Sequence, residues 1–197
     1  MATSFGPSAL VTPANGVTLA RVGFTPLLLV VIVVSGPSYP TLAGWILLAS
    51  TDGVDGYLAR RHGTTRSGAF LDPLADKLLV LGALVALTAR GAFSWLPVAL
   101  IAAREVAMSG YRSWVGRQGV SVPARSSAKV KTVVQEVAVG VALFPPLAGD
   151  HAWTATSLLW VAVVLTLGTG FQYLLDGRHL QAGAATGSSP EAGAGAL

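Results

Sequence analysis

The stretch TDGVDGYLARRHGTTRSGAFLDPLADKL, residues 51 to 78, gathers Asp52, Asp55, Asp72 and Asp76 within a chain that is otherwise strongly apolar. A helix turns about 100° per residue, so Asp52, Asp55, Gly56 and Ala59 share one helical face, and Gly68, Asp72 and Asp76 repeat at steps of four. Two helices joined by a short loop would aim these four carboxylates at one place, with Gly56, Ala59 and Gly68 leaving room for a ligand near the backbone. At a spacing of about 6 Å and an effective dielectric near 20, each pair of ionised carboxylates repels by roughly 3 kcal/mol, and six pairs by about 17 kcal/mol. Such a cluster needs protons or cations. The chain has no cysteine, and oxygen donors suit Mg²⁺, Mn²⁺ or Ca²⁺ better than a soft metal, so two divalent ions are expected. The plainer alternative is that the aspartates pair with Arg60, Arg61, Arg66 and Lys77. Four acids sharing one face with small residues weigh against it.

Hydrophobic residues make up 52% of the 197 and charged residues 11%, with a mean hydropathy of +0.62, which is more apolar surface than a core of this size can hide. Apolar stretches of about 17 to 25 residues, the length a helix needs to cross a bilayer, recur along nearly the whole chain. The expectation is an all-α integral membrane protein of six transmembrane helices, at about residues 17–35, 40–60, 69–89, 93–113, 127–147 and 154–175. Residues 1–16 read as a juxtamembrane segment without the features of a removable signal. Residues 17–176 read as the helical domain, and 177–197, rich in Ala, Gly and Ser, as a disordered tail.

Arg60, Arg61 and Arg66 are expected in one connection, and Arg112, Arg117, Arg125, Lys129 and Lys131 in or beside another, whereas the opposite connections carry only Arg90. By the positive-inside rule, both termini and the aspartates face the cytoplasm. The net charge of +4 then meets anionic headgroups, so membrane lipid is the expected partner and nucleic acid is not.

At the aspartates the chain resembles the CDP-alcohol phosphatidyltransferase family. The family signature DxxDGxxAR, a loop and GxxxDxxxD is met by Asp52, Asp55, Gly56, Ala59 and Arg60, then Gly68, Asp72 and Asp76. Seven residues separate Arg60 from Gly68, fewer than is usual in the family. Asn15, Thr18, Arg21 and Pro26 match its entry helix, and "AAREV" and "AKVKTVVQ" look like the bacterial branch that makes phosphatidylglycerol phosphate.

The resemblance implies a six-helix bundle, usually a homodimer, in a bacterial plasma membrane with its site open to the cytoplasm. It implies Mg²⁺ or Mn²⁺ held by Asp52, Asp55 and Asp72, with Asp76 beside them as general base. The CDP moiety of CDP-diacylglycerol would meet Gly56, Ala59, Arg60, Thr65 and Gly68. Glycerol 3-phosphate is the acceptor expected; inositol phosphate, or phosphatidylglycerol as in cardiolipin synthesis, are alternatives sharing the aspartates. An acceptor bearing phosphate needs cations, for which Arg112, Lys129 and Lys131 are the candidates. A divalent-cation transporter would also use intramembrane carboxylates, but spread along a path through several spans.

Arg104 and Glu105 fall near the middle of the fourth span, where a bare Arg costs about 2.5 to 3.5 kcal/mol, so both should face the bundle interior, as a bridge or as the lining of a polar cavity. His62 reads as a solvated loop residue. Trp45, Trp95, Trp114, Trp153 and Trp160 read as interfacial anchors.

Overall fold

The computed structural model describes residues 13–62, 68–117 and 126–186. The fold is an all-α bundle of helices α1 (Pro13–Ser35), α2 (Tyr39–His62), α3 (Gly68–Ala89), α4 (Trp95–Arg117), α5 (Ser126–Leu143), α6 (Pro145–Ala148) and α7 (Ala152–Thr186). Its six long helices follow the six apolar stretches of the sequence. The helix expected over 127–147 ends instead at Leu143, because Pro145 and Pro146 lack the N–H groups that would continue it, and the short α6 follows. The last helix runs on through Thr186, past the boundary at 176 where a disordered tail was expected. Leu, Gln and Ala in "HLQAGAA" carry good helix propensity even without the bulk to pack. The backbone of Arg60, Arg61 and His62 belongs to α2, and that of Arg112 and Arg117 to α4, so these residues extend helices and do not lie in loops.

The turns explain themselves locally. Ser38 caps α2 by accepting the Thr41 N–H on its Oγ at 3.3 Å. Gly91, at φ +77°, closes α3 in a Schellman arrangement, with Gly91 N–H donating to Thr88 O and Ala92 N–H to Leu87 O, both at 2.9 Å. Gly36, at φ +69°, ends α1 beneath Arg90, whose Nη1 donates to Val33 O at 2.6 Å and Val34 O at 3.3 Å. A Cβ on Gly36 would stand 2.7 Å from that guanidinium. Gly36→Ala is therefore expected to lose about 1 to 2 kcal/mol from the left-handed backbone alone, and more as Arg90 leaves its carbonyls. A thermal unfolding midpoint equal to wild type would show that the turn relaxes freely.

α1 packs chiefly against α2 and α3, and α5 against α7; α2 and α3 meet α5, and α4 bridges α3 and α7. Ile32, Leu79, Leu84, Leu87, Ile101, Val139, Leu143 and Leu159 fill the middle. Trp45, expected at an interface, is instead 2% exposed. It donates its Nε1–H to Glu136 O at 3.3 Å and lies against Gly140 of α5.

The distribution of polarity is inverted relative to a water-soluble bundle. Phe24, Leu27, Val34, Leu47, Val106, Val164 and Phe171 point outward, while Asn15, Thr18, Arg21, Glu105, Lys131, Gln135 and Thr166 are buried. Two segments, Asn15–Ser35 and Ala152–Phe171, are long and apolar enough to cross a membrane by length and composition, and less than half of each is buried in the bundle. Most of the buried polar residues described lie in the first half of α1, in α4, in the first half of α5 and in α7.

Candidate active site

One face of α1 organises the polar end. Asn15, Thr18, Arg21 and Thr25 recur at steps of three and four and are all 0–1% exposed, so this stripe of an otherwise apolar helix is turned inward. Thr18 Oγ1 donates to Asp72 Oδ1 at 2.7 Å. Arg21 uses its fork on α2: Nε donates to Thr51 Oγ1 and Nη1 to Asp52 Oδ1, each at 3.0 Å. The Thr51 hydroxyl in turn donates a hydrogen bond to Leu48 O. Thr18 and Arg21 are one helical turn apart, about 4.5 Å along the axis, so a single turn of α1 brings together carboxylates from α2 and α3.

Asp76 lies one turn beyond Asp72 on α3 and is partly buried. It is close enough to interact electrostatically with Asp52, Arg21, Glu105 and Lys131. Glu136 of α5 also feels Asp76 and Asp52, a carboxylate near the cluster that the spacing along the chain did not bring out.

Beside Asp76 is a basic cluster built on Glu105. Arg104 Nη1 lies 2.9 Å from Glu105 Oε1, Lys77 Nζ lies 3.8 Å from Oε2, and Lys131 donates to Oε1. Lys77 also donates to Ser109 Oγ. Arg104 Nη2 donates to Thr169 Oγ1 on α7 at 3.1 Å, while its Nε is buried without a hydrogen-bond partner. Deeper in, Gln135 Nε2 donates to Thr166 Oγ1 at 3.1 Å. Three cations thus surround one carboxylate, leaving the cluster with an excess of positive charge.

Of the expected site residues, Asp52, Asp72, Asp76 and Lys131 have described side chains and converge on this end. Those of Asp55, Gly56, Ala59, Arg60, Thr65, Gly68, Arg112 and Lys129 lie outside the described residues, as does the connection from Arg60 to Gly68 in part. Among the described residues no three His, Asp or Glu side chains gather closely enough to hold a metal by themselves. Lys131 is a buried ion-pair partner, 5% exposed, and not a surface charge at the mouth of a loop. Lys77 pairs with Glu105 rather than with an aspartate of the motif. Arg104 and Glu105 face the interior as expected, and do so as parts of one network.

A model of the CDP-alcohol phosphatidyltransferase family matches residues 11–168. The chain belongs to this family. The match takes in α1 through about the first half of α7, and so every described residue of the polar end except Thr169. The phosphatidyltransferase is 36% identical over 175 residues to a probable phosphatidylglycerophosphate synthase of Mycobacterium tuberculosis, covering 86% of this chain and 83% of the relative. It is 44% identical over 143 residues to the CDP-diacylglycerol–glycerol-3-phosphate 3-phosphatidyltransferase of Sodalis glossinidius, covering 68% and 76%. With the enzyme of that name from Salmonella choleraesuis it shares 40% over 171 residues, covering 82% and 92%. The protein is an enzyme, and the transporter alternative falls.

Proposed function

We propose that this phosphatidyltransferase is a six-span membrane enzyme that transfers the phosphatidyl group of CDP-diacylglycerol to glycerol 3-phosphate, releasing CMP. The relatives' names support the donor and acceptor. The observation that carries the reading is a pair of charge clusters, Asp52 and Asp72 held by one turn of α1, and Lys77, Arg104 and Lys131 around Glu105, with Asp76 interacting electrostatically with members of both. Outward-facing apolar side chains on every long helix support a bilayer around the bundle. The cytoplasmic placement of the polar end, and assembly as a homodimer, follow the charge distribution and the family resemblance.

The donors at the aspartates fit Mg²⁺ or Mn²⁺: they are carboxylates from two helices, each fixed through Oδ1 with a second oxygen to offer. Asp52, Asp55 and Asp72 would hold such ions, with Asp76 near them. Divalent ions bound there would withdraw charge from the pyrophosphate and make CMP a better leaving group. The chain's own part is to position and to accept a proton. Gly56, Ala59 and Gly68 leave space for the CDP moiety, with Arg60 and Thr65 to contact it. The basic cluster holds the phosphate of the acceptor, its excess positive charge matched by a phosphate dianion. The acceptor's primary hydroxyl oxygen then bonds to the phosphorus carrying diacylglycerol, the bond from that phosphorus to the CMP oxygen breaks, and the hydroxyl proton passes to Asp76.

An acceptor panel tests the substrate half of this reading. Purified enzyme with CDP-diacylglycerol should release CMP with glycerol 3-phosphate and not with inositol phosphate or phosphatidylglycerol; the reverse preference would reassign the acceptor. Lys131→Ala should raise KM for glycerol 3-phosphate by about tenfold or more, the loss of one charge-assisted hydrogen bond of roughly 1.5 to 3 kcal/mol. An unchanged KM, there and in Lys129→Ala and Arg112→Ala, would remove these cations from the acceptor site.

A further inference from the structure

We propose that Thr18 and Arg21 are positioning residues for the metal site: they aim the carboxylates of Asp52 and Asp72 from inside the bundle. The proposal rests on the metal-dependent reading above and adds to it a pair of α1 residues that do not themselves touch metal or substrate. Thr18 is 0% and Arg21 1% exposed, yet the carboxylate that Arg21 holds has a side chain 53% exposed. A carboxylate so open to its surroundings has no need of a buried guanidinium for solvation. A buried arginine whose only task was to join α1 to α2 would gain little from its ion pair, since burying the charge offsets much of the attraction. The contact does something an apolar residue cannot, which is to fix the rotation of the Asp52 carboxylate.

The geometry is specific to that task. Arg21 holds Thr51 with Nε and Asp52 with Nη1, so the guanidinium plane is set by one neighbour before it meets the other. The Thr51 hydroxyl is in turn tied to Leu48 O. On the next turn of α1, Thr18 does the same for Asp72 through a single short hydrogen bond. Both contacts use Oδ1, leaving Oδ2 of each aspartate as the oxygen to present to a cation. Two carboxylates on separate helices would otherwise rotate independently, each losing side-chain freedom when a metal binds. Pinning both to one rigid turn removes much of that loss beforehand.

The test is direct Mn²⁺ binding to purified full-length protein in detergent, followed by electron paramagnetic resonance of the free ion, with thermal unfolding as the check on folding. Thr18→Val keeps the shape and removes the hydroxyl; Thr18→Ser keeps the hydroxyl. Thr18→Val is expected to weaken Mn²⁺ binding by about 10- to 100-fold, and Thr18→Ser to stay within about threefold of wild type. Arg21→Lys, which keeps the charge and loses the fork, should also bind Mn²⁺ about tenfold more weakly or worse. A purely structural role would lower the unfolding midpoint of Thr18→Val and leave the Mn²⁺ affinity of its folded form unchanged, and that result overturns the proposal. If Arg21→Lys does not accumulate, the threonine pair decides alone. Wild-type protein that takes up no Mn²⁺ would overturn the metal reading itself, and the positioning role with it.

Discussion

Asp76→Asn should lose turnover by about 10²- to 10⁴-fold, the usual contribution of a positioned general base, while retaining metal-dependent binding of CDP-diacylglycerol. The two side chains have the same shape, so the packing of α3 is preserved; what disappears is the capacity to take a proton. Asp76 is suited to that role by its place in the fold. Asp52 and Asp72 each have an oxygen committed to α1, whereas Asp76 interacts electrostatically with Asp52 and also with Glu105 and Lys131 of the basic cluster, near which an acceptor held by its phosphate would bring its hydroxyl. Asparagine keeps one carbonyl oxygen for a cation, so binding should weaken far less than kcat. Steady-state CMP release, together with a binding isotherm for the liponucleotide, separates the two effects. Near-normal turnover in a folded preparation would remove Asp76 as the base. A loss of binding as large as the loss of turnover would make it chiefly a ligand.

Glu105→Gln should be the most destabilising conservative change in the described part of the bundle, on the order of 3 to 5 kcal/mol, as expected when one partner of a buried ion pair is removed. The side chains of Lys131, Arg104 and Glu105 are only 7%, 10% and 11% exposed, so water cannot make up for the lost charge. Lys131 and Arg104 would be left beside each other, with Lys77 near them, and nothing negative between. Arg104 already carries a buried Nε without a partner, packed so close to Gly170 that a Cβ added there would stand 3.2 Å from this nitrogen. The measurement is the unfolding midpoint in detergent, repeated at rising phosphate concentration. The midpoint should fall sharply without phosphate and recover partly with it, because a bound anion would replace the missing charge. A midpoint like that of wild type would mean that the three cations do not depend on Glu105.

The helices were legible in the sequence because long apolar runs leave little choice of local structure, but the span expected over 127–147 ran through Pro145 and Pro146, which end α5 at Leu143. The aspartates were legible for a related reason: Asp72 and Asp76 sit at helical spacing within one element, so their common face follows from the period alone. The partners of these acids were not. Thr18 and Asp72 are 54 residues apart, Arg21 and Asp52 are 31, Glu105 and Lys131 are 26, and Arg104 and Thr169 are 65. Such pairs depend on which helix faces pack together, which no local pattern encodes. Lys131 looked like a topology signal because basic residues at a helix start usually are. Only the neighbouring face of α4, with Glu105 on it, draws it inside. Trp45 was misread for the same reason, since the carbonyl that accepts its N–H, that of Glu136, lies on a different helix.

The central claim is that the carboxylates brought together on α1 bind divalent cations that hold the nucleotide-linked lipid for transfer. It is tested most directly by CMP release from CDP-diacylglycerol by the purified enzyme with glycerol 3-phosphate, before EDTA, after EDTA, and after Mg²⁺ or Mn²⁺ is restored. The expected result is release that EDTA abolishes and the added cation restores, and that requires the acceptor throughout. CMP release at the same rate in EDTA, from enzyme shown to be metal-free, would contradict the account.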